Sequence, residues 1–300
     1  MLRHTITLLT LLALPYLAGA DEHSLQARVN GKISGFPGTV TLYAKNLRTG
    51  ASFSLNGEQP VRTASTIKLA IMAECFGEDA EGKLRLSEPI RLRGSEKVSG
   101  SGILQELSDG ISLPLRDVVD LMIVLSDNTA TNMILERFGA DAVNAYLDTI
   151  GIKSTRSLRK VLGGTDELKS GAGLSAAGRL PGNRKYGLGV STPRDMVTIL
   201  EKLERGQLVS AGASREMIAV LKRCRDDYGI RRRLSGIPVA NKSGALDALR
   251  SDVGIVYAKG GRIAMAITVD GMPSAGYTPD NPGCLLIADL ARLLVDGLSK

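Results

Sequence analysis

Residues 252–271 read "DVGIVYAKGGRIAMAITVDG", with apolar side chains at alternating positions on both sides of Gly260-Gly261. A period of two broken by a glycine pair predicts a β-hairpin. Just upstream, "IPVANKSG" at 237–244 supplies another strand. At the other end of the chain, "TVTLYAKNLRTGASFSL", 39–55, alternates in the same way around Asn46–Gly50 and predicts a second hairpin.

Between these ends the period becomes helical. Thr66 to about Phe76 reads as a helix, and "PLRDVVDLMIVL", 114–125, opens with a proline suited to a first helical turn. Further helical stretches fall at 129–138, 140–149, 193–204 and 213–223, and an amphipathic helix closes the chain from Pro282 to Leu298. Strands at both ends must meet for the sheet to have enough members, which leaves the central helices beside it. The expected class is therefore α/β in the broad sense, α+β in detail. It has an antiparallel sheet from the N- and C-terminal segments, covered by helices, a central helical part, and a cleft between them as the natural site. Residues 151–190, rich in glycine and serine, read as a long irregular loop, and loops of that length are often functional.

Composition narrows the chemistry. The 300 residues carry 43% hydrophobic and 23% charged side chains, an ordinary globular balance that excludes disorder and coiled coil. The charge of +7 is spread along the chain, and the basic clusters lack interleaved aromatics. Without tryptophan there is little for a nucleic acid to stack on, so the charge reads as solubility, with weak attraction to anionic wall polymers. The first twenty residues combine Arg3, an apolar run and a small-x-small ending at Ala20, before Asp21. They read as a removable signal peptide, since the run is too short to span a bilayer, and no later segment has the roughly 20 apolar residues of a span. An exported protein, periplasmic or secreted and without a membrane span, is expected, and a monomer. Cys75, Cys224 and Cys284 form no C-x-x-C unit and read as packing residues. The only histidines are His4 and His23, so the body of the chain offers none for a Ser-His-Asp mechanism or a histidine-rich zinc site. No metal or cofactor is expected, and any nucleophile must be activated by a lysine or a carboxylate.

Three short motifs then matter together. Ser65 and Lys68, in "RTASTIKLA", lie one turn apart at a helix start, where a lysine of lowered pKa accepts a serine proton. Taken alone, the pair reads as a helix cap with a solvated lysine. Ser126-Asp127-Asn128 breaks the helical pattern after "LMIVL", and Lys242-Ser243-Gly244 ends a strand. Duplicates exist at Ser157/Lys160 and Lys169–Gly171, but both fall in the one loop. Order and context select Ser65, Ser126 and Lys242, on helix start, interhelix turn and sheet edge.

"STIK", "SDN" and "KSG" resemble the S-x-x-K, S-D-N and K-T-G set of class A β-lactamases and penicillin-binding proteins. "LMIVLSDNTATNMIL", "STPRDM" at 191–196 and "NKSG" followed by "DVGIVY" extend the resemblance to the class A group over roughly residues 30–298. It implies a single catalytic domain over 21–300, with an α/β part at about 21–62 and 206–300 and a helical part at about 63–205. Ser65 would attack a β-lactam carbonyl to give an acyl-enzyme, with Lys68 as base or relay. Ser126 would protonate the departing nitrogen and Asn128 would hold the acylamide side chain. Lys242 and Ser243, with Gly244 letting the ligand approach, would bind the substrate carboxylate, and the N–H groups of Ser65 and Ala245 would form the oxyanion hole.

The chain also departs from the pattern. The family's E-x-x-L-N segment, whose glutamate activates the deacylating water, is absent, and Glu167, then Asp166, are the loop acids that could replace it or be merely solvated. Arg250 falls in a connecting turn and reads either as a substrate contact or as a solvated residue. "VSGSGIL", 98–104, lacks an aromatic where the family lines the cleft. Three activities follow as expectations: a serine β-lactamase, a D-alanyl-D-alanine peptidase-like acyltransferase with slow release, or a non-catalytic module that binds peptidoglycan fragments.

Overall fold

The structure, a computed structural model, describes residues 16–162, 173–273 and 276–299. Of the expected leader, residues 1–15 lie outside this set and 16–20 open helix α1 (Tyr16–Ile33). Strands β1 (Thr39–Asn46) and β2 (Ser52–Leu55) form the N-terminal hairpin, and β3 (Val61–Arg62) leads into the first site element. Helix α2 (Lys68–Ala80) follows, then the small ribbon of β4 (Pro89–Arg91) and β5 (Ser112–Pro114). Helices α3 (Leu115–Val124) and α4 (Asn128–Thr149) complete the helical body. Pro114 sits one residue before α3 rather than in its first turn. Gly139, with φ +79°, breaks α4 between the two helical stretches that the sequence pattern separates.

The described parts of the 151–190 region, residues 151–162 and 173–190, hold more regular structure than its composition suggests. They contain β6 (Arg156–Ser157), the short α5 (Ala176–Arg179), a 3₁₀ turn over Pro181–Tyr186, and β7 (Gly189–Ser191). Strands β3, β7 and β6 pair as a three-stranded antiparallel sheet, an arrangement of two- and three-residue strands too short to leave a period in the sequence. Helices α6 (Pro193–Glu204) and α7 (Ala211–Lys222) then precede β8 (Val239–Leu246), β9 (Leu249–Ala258), β10 (Gly261–Asp270) and the closing α8 (Pro282–Leu298).

The two ends of the chain do meet. The main sheet runs β2-β1-β10-β9-β8, antiparallel throughout, with Thr39 opposite Asp270 and Asn46 opposite Ile263. Alternation along β10 sorts side chains by size. Ile263, Met265, Ile267 and Val269 join one core with α1 and α8, whereas Ala264 and Ala266 face the other core, where α6 crosses the sheet. Small residues on that face let the helix approach closely. Asn46 closes the far end by donating from Nδ2 to the carbonyls of Leu298 (2.7 Å) and Gly260 (3.2 Å). Strand β8 is left at the sheet edge, beside the helical body. Among the described residues, no helix is long and apolar enough to cross a membrane.

Candidate active site

Ser65 stands in a 3₁₀ turn, Ala64–Ile67, wedged between β3 and α2. The turn is tightly held. Thr63 N–H donates to Gly189 O (3.0 Å), Thr66 Oγ1 donates to Thr63 O (2.8 Å), and Ala64 adopts φ +46°, unusual for a residue with a side chain. Both halves of the helix-cap alternative fail here. No side chain caps α2, and Lys68 is 0% exposed.

A buried ammonium requires acceptors, and the fold supplies three. Lys68 Nζ donates to Ser126 O (2.7 Å), Ser126 Oγ (3.3 Å) and Asn128 Oδ1 (3.0 Å). Its pKa is lowered well below the ordinary lysine value, first by burial and then by the charge of Lys242, with Asp127 opposing. A lysine so placed reaches its neutral, proton-accepting form far more readily than a solvated one. Among the described residues no hydrogen bond joins Lys68 directly to Ser65.

The Ser126-Asp127-Asn128 turn is a junction rather than a simple interhelix link. Ser126 takes φ +54°, and Asp127 caps α4 by accepting from Ala130 N–H (2.8 Å). The other oxygen of Asp127 accepts from Ile103 N–H (2.7 Å) and Leu104 N–H (2.9 Å), which clamps the 98–104 loop against the turn. Gly102 is required there, because a Cβ would come 2.2 Å from the Asp127 carboxyl carbon. Asn128 Nδ2 donates to Ser99 O (3.1 Å), so its amide bridges Lys68 and the loop.

The Lys242-Ser243-Gly244 segment lies in edge strand β8, against the Ser65 turn. A side chain at Gly244 would come 2.8 Å from Thr63 O and 3.0 Å from Ser65 N, so glycine permits the close approach of the two backbones. Lys242 is fully buried and donates to Ser243 O (2.8 Å), and Ser243 Oγ donates to Asp226 Oδ2 (2.6 Å). Behind them Asp252 accepts from Asn241 Nδ2 (2.9 Å) and Ile230 N–H (2.8 Å). Burial, and then the charge of Asp226, push its carboxyl up to about 7.

A cavity of about 500 Å³ opens at Ser65, with Asn128 and Ala245 on its lining. One wall comes from the 151–190 region, including Arg159, Lys160, Val161 and Leu162, while Arg62, Asp247 and Tyr277 also line the cavity. This wall is anchored on α4: Asn132 accepts from Val161 N–H (2.8 Å) and donates to Val161 O (3.0 Å), and Lys160 is ion-paired with Glu136. Asp166, Glu167 and the duplicate Lys169–Gly171 lie outside the described residues. The other duplicate is structural, since Ser157 is buried with its backbone held by Asn144 at 2.8 and 2.9 Å. Arg250 is neither solvated nor in a turn. It sits buried in β9, donating to the carbonyls of Leu246, Leu249 and Gly276. The three cysteines are free and buried, as their packing reading expects.

Two contributors escaped the sequence reading. Asn132 follows Asn128 by one helical turn on the same face, a spacing that signals its direction but not its partner. Asp226 belongs to no motif, and only tertiary contact brings it to Ser243.

Fold and site together define a penicillin-recognising serine hydrolase. Within that class the chain belongs to the beta-lactamase enzyme family, whose model matches residues 24–298. An imipenem-hydrolyzing β-lactamase of Enterobacter cloacae is 25% identical over 276 residues, covering 88% of this chain and 86% of that one. The β-lactamase SME-1 of Serratia marcescens is 24% identical over 178 residues, 59% of this chain and 55% of its own. Against PSE-4 of Pseudomonas aeruginosa the match is 29% over 138 residues and 44% of that protein, so the chain spans about half the length of these two curated relatives. Among solved structures, a β-lactamase from Sphaerobacter thermophilus superposes with TM-score 0.78 at 28% identity, covering 92% of this chain and 97% of that one. A PBP-A mutant in its acyl-enzyme complex with penicillin G gives 0.76 at 27% identity, covering 91% and 96%.

Proposed function

We propose that the protein is an exported serine β-lactamase that opens β-lactam rings through an acyl-enzyme on Ser65. The observation that carries this reading is the burial of Lys68, with its pKa lowered and its Nζ bonded to Ser126 and Asn128. In this reading Ser65 Oγ attacks the ring carbonyl and its proton passes to neutral Lys68. The N–H groups of Ser65 and Ala245 hold the oxyanion, each such donor being worth roughly 3 kcal/mol in a transition state. The C–N bond breaks as Ser126 protonates the leaving nitrogen, and Lys68 reprotonates Ser126. Asn128 orients the acylamide group. Lys242 and Ser243 bind the substrate carboxylate beside Gly244. Residues 1–20 are removed on export, and the remainder works as a monomeric catalytic unit with the α/β and helical parts divided near residues 62 and 206.

One observation favours a second reading. The chain lacks the E-x-x-L-N segment whose glutamate activates the deacylating water in class A enzymes, which suits a peptidase-like acyltransferase that forms the acyl-enzyme quickly and releases it slowly. Protein lacking residues 1–20, given a chromogenic cephalosporin, separates the two. Steady turnover that is lost in Ser65→Ala supports the β-lactamase. A stoichiometric burst with a persistent adduct on Ser65, followed by intact-protein mass spectrometry, supports the slow-release enzyme. Neither turnover nor adduct sinks both.

A further inference from the structure

The cavity at Ser65 has an unbalanced lining. Arg62, Arg159, Lys160, Arg184 and Lys185 face it, against Asp247 among the described residues. Several of these charges already have work to do inside the fold. Arg62 is ion-paired with Asp270, and Lys160 with Glu136. Arg184 and Lys185 differ. Both are exposed, both sit on the 3₁₀ turn Pro181–Tyr186, and neither is ion-paired with a described residue. Lys185 Nζ lies 5.1 Å from the centroid of the Tyr186 ring, a contact that orients the ammonium without neutralising it.

The turn that carries them is fixed rather than loose. Asn183 N–H donates to Leu180 O (2.9 Å), Asn183 Nδ2 donates to Ala177 O (3.0 Å), and Leu158 N–H donates to Leu188 O (3.0 Å), tying both ends of the turn to its neighbours. Two adjacent cations are thus held at a cavity wall with no ion-pair partner among the described residues. Such a pair attracts anions over about a Debye length, ~8 Å at physiological salt. The carboxylate carried on a β-lactam's fused ring already has its partners in Lys242 and Ser243, on a different element.

We propose that Arg184 and Lys185 form a second anion subsite, which makes the cleft select acyl donors bearing an additional carboxylate on the acylamide side chain. The proposal rests on the acylation of Ser65 described above and adds a substrate class to it. Removing two exposed, solvent-screened charges changes a preference by roughly 5- to 10-fold.

The test compares benzylpenicillin with its α-carboxy derivative, two substrates that differ by one carboxylate, by measuring second-order acylation constants on Ser65 with time-resolved mass spectrometry. The ratio of the two constants should favour the carboxy derivative in the native protein and fall about 5- to 10-fold in Arg184→Gln/Lys185→Gln. It should also fall as sodium chloride rises from low to high concentration. Arg215→Gln, which removes an exposed charge on α7, should leave the ratio where it was. A ratio equal in the native and doubly substituted proteins, with adducts present on both, overturns the subsite alone. Absence of both adduct and turnover with both compounds overturns the acylation reading and the subsite with it.

Discussion

The two walls of the cleft are built on different principles. The wall carrying Ser65, Lys68, Ser126 and Lys242 places its functional groups on helix starts and an edge strand, with both lysines fully buried and hydrogen-bonded. The wall from Arg159 to Leu188 rests on two- and three-residue strands and short turns, and presents exposed cations. Burial is what shifts a pKa, so proton transfer belongs to the first wall. Exposed charge acts by attraction at a distance, so choice of substrate belongs to the second. On the function proposed above, the first wall would determine whether an acyl-enzyme forms, and the second which donors reach it and how fast it is released.

Lys68→Met gives the largest effect expected from this division. It keeps most of the buried volume and removes the proton acceptor, so acylation of Ser65 should slow on the order of 10³-fold. The native acylation rate should rise with pH and level off well below the pH at which an ordinary lysine titrates, because the folded protein favours the neutral amine. A chromogenic cephalosporin followed by stopped flow over a pH series checks both. Retention of native rates in the methionine variant would move the base to the loop wall and break the division.

Asn132→Leu probes the second wall at its anchor. Losing the two hydrogen bonds to Val161 leaves a backbone N–H and C=O without their partner, at a cost of about 2 kcal/mol. Lowered midpoints in urea unfolding measure that cost. Acylation by benzylpenicillin should change only a few-fold, while the lifetime of the adduct changes more. If acylation falls as far as in Lys68→Met, the walls are not independent.

The same division explains which parts of the molecule its sequence reveals. Long strands and helices leave periods in the sequence, so the hairpins at 39–55 and 252–271 and the closing helix at 282–298 were legible. The three motifs were legible because their residue types are tied to chemistry. Strands β3, β6 and β7 were not, since two or three residues carry no period. Arg250 was misplaced for another reason. Its burial depends on three carbonyls, the furthest at Gly276, and no local pattern announces such partners. Asp226 and Arg184 acquire meaning only from what the fold sets beside them.

The smallest effect tests whether burial acts in the same way away from the cleft. Glu74, on α2 behind the Ser65 turn, is 6% exposed, and its carboxyl is pushed up to about 8 by burial and by the charge of Glu78. In the unfolded chain it titrates at about 4.5. Between these values the folded protein holds a proton that the unfolded chain has released, so the unfolded state binds fewer protons and stability falls as pH rises through this window. Glu74→Gln removes that dependence while keeping a donor for Glu78. It should therefore stabilise the protein by about 1 kcal/mol at pH 8, a figure discounted for screening by solvent, with the gain vanishing toward pH 4.5. Urea midpoints at pH 5 and pH 8 measure the difference. A gain that is equal at both would mean Glu74 is ionised in the folded protein. Burial alone would then not suffice to hold a proton on α2, and the low pKa of Lys68 would have to owe more to Lys242 than to its surroundings.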